Sequence, residues 1–310
     1  MNNRIYALVS AGELLADLIG TEFAKNLADT THFERFQGGS PANLAANMAR
    51  LGNKTALIAC VGADNVGRYL IEKIAETGVE TVYIRQILQT PTSIVLVSRT
   101  KATPDFIAYR QADHHISPAD IPDKLLHNAS FFHTTCFALS LDPARSSILD
   151  AAKRAQEAGC VVSLDANYAP SLWPDRAEAN RVIADYCQFG SFVKLSEDDA
   201  ERIFGVTLSQ QAIIDTFHGM GAQLVCLTLG AKGSIISSDY GQKRVELVGK
   251  PLEVKDATGA GDAYWSGFLT AWLDKKTPAE CGQAGANMAA LKISTVGPLP
   301  AQVAKAMIYS

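Results

Sequence analysis

The sequence has six cysteines, Cys60, Cys136, Cys160, Cys187, Cys226 and Cys281, but no two of them form a C-x-x-C pair. That scatter excludes zinc-ribbon and dithiol frameworks and fits buried, reduced thiols. No apolar run approaches the ~20 residues that a membrane helix needs. Residues 5–11 are too short and too polar for a signal peptide, so a cytoplasmic location is expected. Basic runs are also missing. With 28 Lys and Arg against 32 Asp and Glu, the net charge is −4, which speaks against nucleic-acid or anionic-membrane partners. There is no internal repeat, low-complexity segment or linker, so residues 1–310 are expected to form one domain.

What is present is an ordinary globular balance, 47% hydrophobic and 19% charged. Short apolar runs at 5–9, 55–61, 130–134, 160–164, 192–195 and 224–229 alternate with helical patterns at 42–51, 66–77 and 145–158. Gly78 and Gly159 follow two of these helices as C-caps. The rhythm predicts an α/β fold with a mainly parallel sheet. Residues 18–37 and 83–109 break it. Residues 93–98 and 106–109 read as strands around a turn at 101–105. This gives a small strand layer, a lid of about 14–36 and 84–112; the second reading makes these edge strands of the main sheet.

The most informative segment runs from Asp256 to Phe268, D-A-T-G-A-G-D-A-Y-W-S-G-F. It follows a strand pattern at 245–254 and opens a helical stretch reaching about residue 273. Gly259, Ala260 and Gly261 let backbone approach a ligand closely. A helix beginning there points free N–H groups and a positive dipole end out of the turn, which suits a transferring phosphoryl group. Asp262, in the first helical turn, can accept the proton of an attacking hydroxyl, or merely complement the helix dipole. No G-K-[ST] follows these glycines, so this is not a Walker A loop. The segment also lies near the C-terminus, and no strand-ending acidic residue sits downstream where a dinucleotide fingerprint would place it.

D-x-T-G-A-G-D resembles the C-terminal signature of the ribokinase-like (PfkB) carbohydrate kinases, and Gly38-Gly39-Ser40-Pro41-Ala42-Asn43 through Gly52 resembles their N-terminal signature. The resemblance spans nearly the whole chain and is nearest to the fructokinase branch. It implies a three-layer α/β/α fold with a small β-strand lid, and ATP-dependent phosphorylation of a sugar hydroxymethyl group. Fructose is the first expected substrate; ketodeoxygluconate, ribose and nucleosides follow. It also implies Mg²⁺, possible use of K⁺, and a homodimer formed through the lid. A catalytically inactive sugar-binding regulator is the reading from another class, and an NAD(P)-dependent dehydrogenase a weaker one.

Carried onto this chain, the resemblance places sugar hydroxyls on Asp17, Gly38, Gly39 and Asn43. Arg110 stands near the substrate or is a solvated lid residue. Asp165 and Asn167 match a D-x-N-x-R-x-x-L-W stretch in which Ala169 replaces the arginine, which counts against an acidic sugar. Lys194 and Ser196 lead to Asp199, the expected water-mediated Mg²⁺ contact. Thr228, Gly230 and Gly233 form a nucleotide turn, with Asn287 on a helix flanking the adenine. The carbonyls of Asp256 and Thr258 are the candidate K⁺ ligands. Gly62-Ala63-Asp64-Asn65-Val66-Gly67 reads as a turn and N-cap. His114 and His115 are expected in an exposed loop, and Trp173 and Trp265 in packing.

Overall fold

The computed structural model describes residues 4–100, 105–249, 257–295 and 299–309. In chain order its strands are β1 (Tyr6–Ala11), β2 (Leu15–Phe23), β3 (Phe33–Gly38), β4 (Thr55–Gly62), β5 (Ile84–Ile87), β6 (Ile94–Arg99), β7 (Phe106–Tyr109), β8 (Ala129–Thr135), β9 (Val161–Asp165), β10 (Phe192–Ser196), β11 (Leu224–Thr228), β12 (Gly233–Ser238) and β13 (Lys243–Val248). The helices are α1 (Ser40–Arg50), α2 (Asn65–Ala75), α3 (Asp123–His127), α4 (Ala144–Glu157), α5 (Arg176–Cys187), α6 (Glu197–Phe204), α7 (Gln210–Gly219), α8 (Ala260–Leu273) and α9 (Pro278–Ile293).

The main sheet has the order β13-β12-β11-β10-β9-β8-β1-β4-β5 and is parallel except where β12 runs against its neighbours. β4 shows why its strands were legible. All eight of its residues are buried. Ala56, Ile58 and Cys60 face one core with Ile148, Ile183 and Ile214, while Leu57, Ala59 and Val61 face the other with Leu44, Leu70, Phe268 and Met288. A strand covered on both faces needs apolar residues at every position and so reads as a continuous run. The result is the expected three-layer α/β/α arrangement.

The second sheet has the order β3-β2-β6-β7. The lid expected over 84–112 begins too early, because Ile84–Ile87 pairs in parallel with β4 at the edge of the main sheet. Its Ile-Arg-Gln-Ile pattern does not reveal which sheet it joins; the pairing partner decides that. The cysteines described are free and buried. Among the described residues, no helix is long and apolar enough to cross a membrane.

α8 and α9 pack closely. A Cβ on Gly267 would lie 2.5 Å from the Ala284 carbonyl oxygen, and one on Gly285 would lie 2.8 Å from that of Tyr264. Glycine at both positions lets the backbones touch. The helices run antiparallel, so the C-terminal end of α9 reaches the first turn of α8.

Candidate active site

The candidate residues gather at the carboxyl ends of the parallel strands, where open α/β sheets form their clefts. β1 leads into Gly12 and Glu13, β9 ends at Asp165, β10 carries Lys194 and ends at Ser196, and β11 ends at Thr228. Two helix N-termini meet there. Gly39 (φ 103°) caps α1 and Gly259 (φ 73°) caps α8, both in the left-handed region that favours glycine. At Gly39 a Cβ would also lie 2.2 Å from the Glu13 carbonyl oxygen.

Asp262 bridges these two turns. Its Oδ1 accepts from Ser40 Oγ at 2.7 Å and its Oδ2 from Asn43 Nδ2 at 2.9 Å. Gln37 Nε2 donates to Asn43 Oδ1 at 3.2 Å, which turns the Asn43 amide so that its donor faces Asp262. Burial raises the Asp262 pKa above the usual carboxylate range, and the Ser40 hydrogen bond, Lys194, the Asn43 hydrogen bond and Lys292 each work against that rise. Both helix dipoles also favour the carboxylate. The group is thus a stronger base than a solvent-exposed aspartate and still ionisable.

Asp17 lies against Gly38. A Cβ on Gly38 would lie 2.2 Å from Asp17 Oδ2, so the missing side chain is the space the carboxylate uses. Burial, and then the charge of Asp262, raises Asp17 to about 7. Gly38→Ala should therefore displace Asp17. Steady-state kinetics should show the KM for sugar rising about tenfold or more with a smaller fall in kcat. An unchanged KM would mean that Asp17 does not hold the sugar.

Glu13 escaped the sequence reading as a site residue. It is 2% exposed. Its Oε1 accepts from the Ser40 backbone N–H at 3.2 Å and its Oε2 from Thr135 Oγ1 at 3.0 Å, tying the end of β8 to the start of α1. Burial pushes its pKa up to about 8 from the ordinary 4.5, against its hydrogen bonds and Arg110. A pKa raised by folding means that the folded chain binds a proton the unfolded chain has released. Stability is then complete in acid and declines as pH rises from about 4.5 toward 8. Glu13 alone accounts for a slope of up to about 1.4 kcal/mol per pH unit. Urea unfolding of the ligand-free protein at pH 5, 6, 7 and 8 should show this decline, and Glu13→Gln should flatten it. An identical slope in both proteins would remove Glu13 as the cause.

Under the α8 turn lies a buried ion pair. Lys194 Nζ donates to Asp165 Oδ2 at 2.9 Å and Oδ1 at 3.1 Å, and both side chains are almost wholly buried. A Cβ on Gly261 would meet Lys194 Nζ at 2.6 Å, so glycine there makes room for the ammonium. Burial alone would lower the Lys194 pKa, but Asp165, Asp199 and Asp262 outweigh it and raise it. Lys194 therefore stays charged directly beneath Gly261. Beside this pair, Asn167 Oδ1 is buried without a partner among the described residues, an acceptor open to a ligand donor.

Ser196 and Asp199 form a reciprocal capping box on α6: Ser196 Oγ accepts from the Asp199 N–H, and Asp199 Oδ2 accepts from the Ser196 N–H and Oγ. With Arg202 3.4 Å from Oδ1, that carboxylate is already engaged. Thr228 Oγ1 donates to the Leu195 carbonyl oxygen at 3.2 Å. A Cβ at Gly230 would point into open space, whereas one at Gly233 would lie 1.9 Å from the Leu247 carbonyl oxygen. Asn287 Nδ2 donates to the Ile308 carbonyl oxygen and Asn287 Oδ1 accepts from Gln283, so this side chain ties down the C-terminal turn. Arg110 is not a solvated residue: its side chain is 8% exposed and pairs with Asp113 2.5 Å away. His114 and His115 are half-buried in a short 3₁₀ turn, not in an exposed loop, with ring centroids 4.5 Å apart. Trp173 and Trp265 are buried, as expected of packing residues. Asp64 accepts from the Gly67 N–H at 2.7 Å, the N-cap expected of it. Thr258 is exposed, and Asp256 lies outside the described residues.

The pfkB family carbohydrate kinase model matches residues 7–303. The chain belongs to that family. It is 34% identical over 298 residues to an ATP-dependent 6-phosphofructokinase of Thermoanaerobacterium thermosaccharolyticum, covering 96% of this chain and 91% of the relative. The fructokinase structure of Halothermothrix orenii superimposes with a TM-score of 0.78 at 34% identity, over 90% of this chain and 97% of that one. An uncharacterized sugar kinase of Pyrococcus horikoshii, solved in complex with ATP, gives a TM-score of 0.85 at 29% identity, over 96% of each chain. This kinase thus shares both sequence and fold with enzymes that phosphorylate sugars.

Proposed function

We propose that this kinase transfers the γ-phosphoryl group of ATP to a hydroxymethyl group of fructose, with Asp262 as the general base. The observation that carries the reading is the Asp262 carboxylate, half-buried between two helix N-termini and held by Ser40 and Asn43. A hydroxyl entering from the Asp17–Gly39–Asn43 side meets a base of raised pKa beside the α8 N–H groups that would receive the phosphoryl oxygens. Asp17 and Asn43 then orient the sugar. Lys194 and the Gly259–Gly261 backbone offset the charge developing on the phosphoryl group. Thr228, Gly230 and Ser196 border the nucleotide, where the open space at Gly230 admits a ligand.

Among the described residues, no three His, Cys, Asp or Glu side chains form a metal cluster, and Asp199 is committed to its cap. Magnesium would therefore be held chiefly by the phosphates of the nucleotide, with Asp199 reaching it at most through water; its chemistry is to neutralise phosphate charge. The exposed Phe23, Ile107 and Tyr109 on the second sheet support a homodimer formed through that sheet.

The relative named for 6-phosphofructokinase raises a phosphorylated sugar as a second acceptor. Two features favour the neutral sugar. Ala169 stands where the fructokinase-type stretch has arginine, and Arg110 is bound to Asp113 and to the Phe137 carbonyl oxygen. The test is ADP release from Mg-ATP against fructose, fructose 6-phosphate, ketodeoxygluconate, ribose, tagatose and adenosine. Fructose should give the highest kcat/KM. A higher value for fructose 6-phosphate would overturn the substrate assignment and leave the kinase intact. Tight sugar binding without turnover by any compound would favour a regulatory sugar binder.

A further inference from the structure

The turn that begins α8 has a second cation near it: Lys194 lies by Gly261, and Lys292 by Gly259. Gly285, Met288 and Lys292 recur at helical spacing on α9, and Gly285 and Met288 lie against α8. The close contact of the two helices therefore carries Lys292, two turns beyond Gly285, to the first turn of α8. Its Cε lies 3.8 Å from where a Gly259 Cβ would stand, and Asp262 Oδ2 lies 3.9 Å from the same point. Lys292 is 8% exposed, unusual for a residue type that is almost never buried without a reason. Its charge counts among those lowering the Asp262 pKa against burial.

We propose that Lys292 is the built-in cation of the phosphoryl-transfer turn: its ammonium, delivered by α9, does the electrostatic work a bound monovalent cation would do there, so turnover needs no added K⁺. The inference rests on the kinase reading. Lys292 acts through the turn, as a positioning residue, by fixing the Gly259–Gly261 backbone and the field at Asp262. The competing structural role is that of a basic residue closing the C-terminal turn of α9. That role predicts lost stability without any dependence on cations.

The experiment measures kcat and KM for fructose and Mg-ATP in tetramethylammonium buffer, with K⁺ titrated in, for wild type, Lys292→Met and Lys292→Arg. Calorimetric affinity for the Mg²⁺ complex of a non-hydrolysable ATP analogue is read in the same buffers. Wild type should change less than about twofold with K⁺. Lys292→Met should lose roughly 100-fold in kcat without K⁺ and regain part of it as K⁺ is added, while Lys292→Arg keeps most of the activity. Thermal unfolding of each variant separates this from misfolding. A wild-type rate that rises tenfold or more with K⁺, or a Lys292→Met protein with undiminished kcat in its absence, overturns the proposal and leaves the kinase reading standing. If the acceptor is another compound, the calorimetry decides. Nucleotide affinity that requires K⁺ in wild type sinks the Lys292 role, and no nucleotide binding in any buffer sinks both readings.

Discussion

Asp262→Asn lowers kcat by about 10³–10⁴-fold and changes KM for sugar and nucleotide by only a few-fold, because proton acceptance is lost while shape is kept. Asparagine can still accept from Ser40 through its carbonyl oxygen. Its amide nitrogen, however, would face Asn43 Nδ2, now 2.9 Å from Asp262 Oδ2. Asn43 must therefore flip or withdraw, and Gln37, which donates to Asn43 Oδ1, must follow. A modest rise in sugar KM is the expected signature of that adjustment. An equal loss in Ser40→Ala, which leaves the carboxylate in place, would argue that Asp262 is a scaffold for the two turns and not the base.

Lys194→Met is expected to destabilise the protein by about 3–5 kcal/mol, the usual cost of leaving one member of a buried ion pair alone. Burial already raises the Asp165 carboxyl to about 7; without Lys194, which works against that rise, it would titrate higher still. The effect should be largest at alkaline pH, where the lone group has to ionise. Lys194→Met with Asp165→Asn should recover a substantial part of the stability, since the pair would then be removed as a unit. Urea unfolding of the two single variants and the double variant yields the coupling directly. Strict additivity would mean that the contact beneath Gly261 contributes nothing. The double variant should nevertheless turn over slowly, because the charge under the α8 turn is gone.

These residues show where sequence reading succeeds. The D-x-T-G-A-G-D string is local: the glycines, the helix start and Asp262 are within a few residues of each other, and helix geometry alone brings them together. β4 was legible because burial on both faces leaves an apolar run. Glu13 and Lys292 were not. Glu13 matters because β1 brings it beside Thr135 and Ser40, 122 and 27 residues away. Lys292 closes an ordinary helix, and only the glycine-mediated crossing with α8 carries it to Gly259. The Ser40–Asp262 contact joins residues 222 positions apart, although both lie in recognisable signatures. The edge position of β5 and the half-buried 3₁₀ turn at His114 depend likewise on tertiary pairing that local pattern does not encode. Asp199 shows the converse. Its spacing from Ser196 was visible as a metal-contact motif, and the structure shows the same spacing acting as a capping box.

Transfer of a phosphoryl group to a sugar hydroxymethyl, with Asp262 as base, leaves a covalent product that can be observed. Its most direct test is ³¹P and ¹³C NMR of the reaction of wild type with Mg-ATP and ¹³C-labelled fructose. The expected result is a phosphate-ester signal coupled to a hydroxymethyl carbon, formed in step with ADP and absent with Asp262→Asn. ADP and inorganic phosphate as the only new phosphorus signals, or an ester formed equally well by Asp262→Asn, would contradict it.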